Sequence, residues 1–295
     1  MNIALVTCDI LAQYAAPNVE DEDTLLTRYL RAQGHHVEPR VWTNPAVEWE
    51  KYDAVVLKSP WDYFDRIDEF YAWLDQMEEL RVPLLNPSGI VRWNTNKRYL
   101  HDMEQAGVRT VPTQWLPRGT HFDEAAAYAT LQTDHMVVKP AVSGGAKNTF
   151  ALLRGESSIR TPDLNELLRH EDFLVQPFLP QIQEQGEWSL VYLGGAYSHC
   201  VLKTPKAGDF RVQHYLGGGI QPRPAPAHLR HAADAIVAQF APGCLYARVD
   251  GVEIDGELVL MELELIEPFL YLATEPEALA RYEQALLALK ELRKA

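Results

Sequence analysis

The chain has 295 residues, with 27 Lys plus Arg against 41 Asp plus Glu and a formal charge of −14. That acid surplus speaks against binding a nucleic-acid backbone or an anionic membrane through the overall field. Hydrophobic residues at 47% and charged residues at 23% mark a folded globular protein, and three scattered cysteines (Cys8, Cys200, Cys244) fit a reducing cytoplasm better than a disulfide scaffold or zinc cluster.

The opening Met-Asn-Ile-Ala-Leu-Val-Thr-Cys-Asp has no basic start and reads as a strand over 3–8, not a signal peptide. No apolar run approaches the roughly 20 residues that span a bilayer. A helix is expected over 23–33, stopped by Gly34, then a weak strand over 36–42, a buried strand over 53–58, a helix over 67–80 and a strand over 82–86. Strand–helix alternation with short links gives an α/β domain with a doubly wound parallel sheet over 1–93. No Gly-x-Gly-x-x-Gly follows the first strand, so this domain is expected to hold a small substrate and not a dinucleotide.

Between 94 and 180 the pattern is a helix over 94–105, a helix over 122–131, strands over 135–140, 150–153 and 173–179, and a helix opened by Thr161-Pro162. These make a compact α+β lid. From 181 to 295 two hairpin signals appear, Gly194-Gly195 and Asp255-Gly256, with a polar loop over 204–221 and helices over 226–240 and from about 275. This third region is expected to be mainly antiparallel.

Four features bear on chemistry. Lys139 ends a strand and precedes Ser143-Gly144-Gly145, a pattern that brings backbone amides and a point charge to phosphates but also marks a plain tight turn. The strand 173–179, with Gln176 near its end and Glu187 beyond, suits an adenine edge and ribose hydroxyls, or simply a core strand. Arg248-x-Asp250 and Glu262-x-Glu264 lie on the two strands of the second hairpin, each pair on one face. Three carboxylates and an arginine on adjacent strands need a cation, and hard oxygen donors suit Mg²⁺ bridged to phosphates; a solvated acidic face is the alternative. A two-residue turn at Asp255-Gly256 would point Asp250 and Glu262 opposite ways, so a metal site requires a three-residue loop pairing Asp250 with Glu262 and Arg248 with Glu264. The fourth feature, Lys97, is by itself a surface lysine. Elsewhere, Trp61 with Ser59 and Asp62 follows a parallel strand, where open α/β sheets place ligands, and Tyr14–Asn18 is similarly placed. Cys8 reads as a buried thiol, and His228 with His231 as an exposed helix face.

Taken in order along the whole chain, these features resemble the ATP-grasp superfamily. The resemblance is carried by Trp93-Asn-Thr-Asn-Lys97, Val137-Val-Lys-Pro140, Gln176-Pro-Phe-Leu179, Gly186-Glu187, Asp209-Phe-Arg-Val-Gln213 with Gly217-Gly-Gly219, and the acidic hairpin. It is nearest the glutathione-synthetase-like branch, and Ser59-Pro-Trp-Asp62 with Met261-Glu-Leu-Glu-Leu-Ile-Glu-Pro268 resembles the O-ureido-serine cyclo-ligase of cycloserine biosynthesis. Glu264 stands where many members carry Asn, which leaves its role and the number of ions open. The resemblance implies an ADP-forming ligase joining a small-molecule carboxylate to an amine through an acyl phosphate, with ring closure within one molecule as a special case. It implies ATP and one or two Mg²⁺, with Mn²⁺ as an alternative ion, a cytoplasmic location, and a homodimer, as relatives often are. Lys97 and Lys139 would hold the α- and β-phosphates, Ser143, Gly144 and Gly145 would close over them, Gln176 and Phe178 would line the adenine pocket and Glu187 would bind the ribose. Asp250, Glu262 and Glu264 would ligate the metal, and Arg248 would stabilise the transferring phosphoryl. Arg211 with Gly217 and Gly218 would take the substrate carboxylate, beside Ser59, Trp61 and Asp62. A small-molecule kinase, a carboxylase and a nucleotide-binding module without turnover are the rival readings; 295 residues leave no room for a biotin-carboxylase extension.

Overall fold

A computed structural model of the chain describes residues 1–10, 21–145, 147–155, 161–206 and 218–292. The first apolar run forms β1 (Asn2–Thr7), buried from Ile3 to Val6 because helices cover both faces of its sheet. It is followed by α1 (Glu22–Ala32), whose cap Asp21 accepts from the amides of Asp23 and Thr24. Then come β2 (His36–Val41), β3 (Ala54–Ser59), α2 (Ile67–Glu79) and a short β4 (Leu84–Leu85), giving a parallel sheet ordered β2-β1-β3-β4. Pro39 lies in the edge strand β2, where a missing amide is tolerated.

The single helix expected over 94–105 is two helices, α3 (Ser88–Asn94) and α4 (Tyr99–Gln105). Between them the Lys97 amide donates to the Ala141 carbonyl at 2.8 Å, a bond that a continuous helix would have used internally. The Asn94 side chain meanwhile bonds the backbone of Leu263 and Leu265.

The middle of the chain forms β5 (Gln114–Leu116), α5 (Glu124–Leu131), β6 (His135–Pro140), β7 (Phe150–Leu153), α6 (Thr161–Leu167) and β8 (Phe173–Pro177), with antiparallel order β5-β8-β6-β7. Met136 and Val138 face a core that includes Phe122, Leu164 and Phe173, so strand alternation turns Val137 and Lys139 to the opposite, open face.

The rest comprises α7 (Gln181–Glu184), β9 (Glu187–Leu193), β10 (Ala196–Thr204), β11 (Gly219–Pro222), α8 (Ala227–Phe240), β12 (Tyr246–Ile254), β13 (Glu257–Glu264) and α9 (Ala278–Leu292). Its antiparallel sheet is ordered β11-β10-β9-β12-β13. The loop expected over 204–221 is strand at both ends, since Thr204 pairs with Gly219. Arg211, Gly217 and Tyr14–Asn18 lie outside the described residues. Helices α4 and α8 bury one face of this sheet. Among the described residues no helix is long and apolar enough to cross a membrane.

The acidic hairpin departs from expectation in an informative way. Asp250 does pair with Glu262 and Arg248 with Glu264, yet the turn has only two residues, because Ile254 pairs with Glu257. Asp255 and Gly256 take the positive φ values of 56° and 76° that such a turn needs. The register is restored by a β-bulge at Met261, between the pairs Gly251–Leu260 and Asp250–Glu262. Before the bulge Leu258 and Leu260 face the α8 core; after it Leu263 and Leu265 do. The extra residue therefore turns Glu262 and Glu264 to the face that carries Arg248 and Asp250. Gly251 is required beside the bulge, where a Cβ would lie 2.7 Å from the Val259 carbonyl oxygen.

Candidate active site

A cavity opens between the lid sheet, the five-stranded sheet and the segment after β13. Lys97, Lys139, Gln176, Phe178, Glu187, Arg248, Asp250, Glu262 and Glu264 all line it, as do Ser143, Gly144, Gly145 and Trp61. Thus one cavity brings together residues spread over 200 positions of sequence.

Each position has a local cause. β13 is the edge strand, and its open edge is closed by the Asn94 side chain, the Tyr99 hydroxyl, which accepts from the Leu263 amide, and a bridge between Thr110 and Leu260. Lys97 extends from the break between α3 and α4 to the Ser143 carbonyl at 2.8 Å, which ties this lysine to the Gly loop. Lys139 reaches Glu262 at 2.9 Å, and Lys97 lies 4.0 Å from the same oxygen. Arg248 grips Asp250 with Nε and Nη2, donates Nη1 to the Phe269 carbonyl at 2.8 Å, and bonds Glu264.

Lys203, which sequence reasoning passed over, bonds both Glu187 and Asp250, the latter at 3.1 Å. The Gly194-Gly195 turn alone would set Glu187 against Leu202; an irregularity at Ser198 shifts the register by one and sets it against Lys203. Glu267 was also missed as a site residue, although it stands in the motif Met261–Pro268.

Ser59 and Asp62 are not brought to the cavity. Ser59 is fully buried between Thr7 and Asp23, and Asp62 accepts from the Trp42 indole at 2.7 Å. Only Trp61 of that trio reaches the site, with its Nε1 donating to the Glu267 carbonyl at 3.1 Å. Cys8 is buried as expected, and His228 bonds Glu253 on β12.

Burial would raise both Asp250 and Glu262, but Arg248 and Lys203 hold Asp250 well below the usual carboxylate range, and Lys139 with Lys97 draws Glu262 down to about 2. Glu264 goes the other way. Burial, with Asp250 and Glu262 beside it, outweighs Arg248 and lifts it to about 7. Burial and the neighbouring Glu264 push Glu267 to about 8. Both carboxyls therefore hold a proton above the 4.5 at which the unfolded chain gives it up, so their contribution to stability is full below about pH 4.5 and is lost as pH rises through 7 and 8, opposite in sign to that of Asp250 and Glu262. Thermal unfolding of the nucleotide-free protein is expected to show a loss on the order of 1–2 kcal/mol between pH 7 and 9. A flat or rising profile there contradicts the assignment.

A divalent ion needs hard oxygen donors that are not already committed to other partners. Glu262 and Glu264 share a face, and each has one carboxylate oxygen bonded to a cation and one without a hydrogen bond among the described residues. Both oxygens of Asp250 are shared among Arg248, Lys203 and Ser189. No group of three His, Cys, Asp or Glu among the described residues forms a ready-made cage. Two carboxylates with uncommitted oxygens on one face fit a hard divalent ion such as Mg²⁺, which would need further oxygen donors to complete its shell.

The Gly loop touches the N-terminal domain. A Cβ on Gly144 would lie 2.6 Å from the Phe64 ring, and Lys147 pairs with Asp65. Gly144→Ala is expected to weaken nucleotide binding about three- to tenfold, with Phe64→Ala restoring it in the double variant. Additive losses in equilibrium titration would rule out this contact.

Residues 3–86 match the family described as "D-cycloserine synthetase DcsG, N-terminal domain". The chain is 29% identical over 270 residues to the cycloserine biosynthesis protein DcsG of Streptomyces lavendulae, covering 87% of this chain and 89% of that one. The crystal structure of D-cycloserine synthetase DcsG superposes with a TM-score of 0.85 at 27% identity, over 98% of this chain and all of that one. The D-alanine–D-alanine ligase of Bacillus anthracis complexed with ATP follows at 0.70 and 15% identity, over 100% and 99%. The architecture is the ATP-grasp fold.

Proposed function

We propose that this chain, an ATP-grasp ligase forming C–N bonds, joins the carboxylate of a small amino-acid-like substrate to a nitrogen through an acyl phosphate, with ATP converted to ADP and phosphate. The observation that carries this reading is the convergence of Lys97, Lys139, Lys203 and Arg248 on the face that presents Glu262 and Glu264. Lys97 and Lys139 hold the α- and β-phosphates, the Ser143–Gly145 loop covers them, and Gln176 with Phe178 lines the adenine site. Glu187 meets the ribose. Glu262 and Glu264 would hold Mg²⁺, which would supply charge neutralisation at the phosphates, while Asp250, with both oxygens engaged by Arg248, Lys203 and Ser189, holds Arg248 in place.

The substrate carboxylate attacks the γ-phosphorus, and the β–γ bridging oxygen leaves with ADP. Arg248, held by Asp250 and the Phe269 carbonyl, faces the charge that gathers on the phosphoryl and then on the tetrahedral carbon. The nitrogen nucleophile forms the C–N bond as the C–O bond to phosphate breaks. The chain need offer no nucleophile of its own, since position and exclusion of water do most of the work. The likeness to D-cycloserine synthetase supports ring closure within one molecule.

A screen for ADP release over amino acids and their ureido and hydroxylamino derivatives, with mass spectrometry of products, tests this. A product lighter by one water from a single substrate establishes cyclisation, and a strict need for two substrates removes it. Release of ADP with a phosphorylated end product would make the chain a kinase.

A further inference from the structure

We propose that Glu267 receives the cationic amino nitrogen of the substrate; this rests on the ligase reading and names a residue for its nitrogen-bearing component. Four cationic side chains face five carboxylates across the cavity. Glu187 and Asp250 share Lys203, Glu262 has Lys139, and Glu264 has Arg248. Among the described residues the Glu267 carboxylate has neither a hydrogen bond nor an ion pair. ATP and Mg²⁺ bring no counter-charge to this side chain; in the empty cavity burial and Glu264 keep it protonated, and a cation placed beside it would favour the carboxylate form. A partly buried carboxylate in that position wants a cation.

The surroundings suit an ammonium group. Trp61, bonded to the Glu267 carbonyl, lines the cavity with Phe269 and Tyr271, and aromatic rings in a cavity with a carboxylate favour a cationic nitrogen, as Arg248 over the Tyr271 ring already shows. The backbone that presents Glu267 is fixed on every side. Its own carbonyl takes the Trp61 indole, the Ile266 carbonyl takes the Tyr246 hydroxyl, and the amides of Leu270 and Leu272 donate to Glu22. A carboxylate on so rigid a segment can set the place of a nitrogen relative to the phosphoryl-facing Arg248.

Calorimetric titration in the presence of Mg²⁺ and ADP, where no turnover occurs, tests the assignment. The probes are the proteinogenic amino acids in both enantiomers, each beside its N-acetyl counterpart. The wild-type protein is expected to bind at least one free amino acid and to bind its acetylated form at least about tenfold more weakly. Glu267→Gln is expected to lose that discrimination with ADP affinity unchanged, and Glu267→Asp to keep part of it. Equal binding of both forms by the wild type, no binding of any free amino acid, or unchanged discrimination in Glu267→Gln overturns the proposal. So does a loss of Mg-dependent ADP affinity in Glu267→Gln, which would put the carboxyl at the ion. Failure of the ligase reading is read separately, as absence of carboxylate-dependent ADP release in the wild type.

Discussion

Arg248→Ala is expected to lower turnover by about 10²–10³-fold or more and to destabilise the fold by about 3–5 kcal/mol. The two effects share one cause. Arg248 is buried, and its guanidinium is the shared counter-charge of Asp250 and Glu264 while its remaining nitrogen holds the Phe269 carbonyl. Its removal leaves Glu264 without its ion-pair partner and takes away the donor that the proposed mechanism sets against the transferring phosphoryl. Arg248→Lys separates the effects, because it keeps the charge but not the forked geometry. It should recover most of the stability and little of the turnover. Denaturant unfolding and ADP release measured on both variants decide the matter; if Arg248→Ala turns over at more than about a tenth of the wild-type rate, the residue is not the stabiliser of the phosphoryl.

Lys58→Met is expected to cost about 3–5 kcal/mol although it lies away from the cavity. Lys58 is 1% exposed, bonds Glu22 at 2.7 Å and lies 3.6 Å from Asp23. Glu22 in turn accepts the amides of Leu270 and Leu272 at 2.9 and 3.0 Å, so the pair couples the parallel sheet to the segment that presents Glu267 and Phe269. Without the lysine, two carboxylates remain in a closed interior. The melting temperature should fall by on the order of 10 °C. A fall of under 2 °C would mean that water or rearrangement screens the carboxylates and that the network is not a structural tie.

The parts of the fold that are legible in the sequence are those set by local pattern. Apolar runs give the parallel strands, Gly34 ends α1, and Gly-Gly and Asp-Gly place both hairpins. Arg248, Asp250, Glu262 and Glu264 are also legible, as two pairs at spacing two on adjacent strands of a hairpin, whereas Lys97 stands out only through its place in the order of motifs. What escapes is anything decided by tertiary contact. The helix expected over 94–105 breaks because Lys97 and Asn94 bond Ala141 and the β13 backbone, partners that lie 44 and about 170 residues away. Lys203 was missed because its partner depends on an irregularity at Ser198 that no turn rule announces. Ser59 and Asp62 were expected at the substrate from their place after a strand, but the buried hydroxyl of Thr7 and indole of Trp42 claim them first. Glu267 carries no periodic signal, since it stands in a segment without regular structure.

The bulge at Met261 makes the chemistry of this hairpin depend on counting. Substitutions at Met261 that keep a side chain of similar size leave the phase of β13 intact, whereas deletion of that one codon keeps every acid in the gene and forces a choice. Either the half near the turn rotates, bringing Leu258 and Leu260 into the cavity, or the other half does, driving Glu262 and Glu264 into the packing against α8. Natural variation in this strand should therefore tolerate exchanges far better than gaps, and a length polymorphism here would read out as a null allele even with all the charged residues preserved.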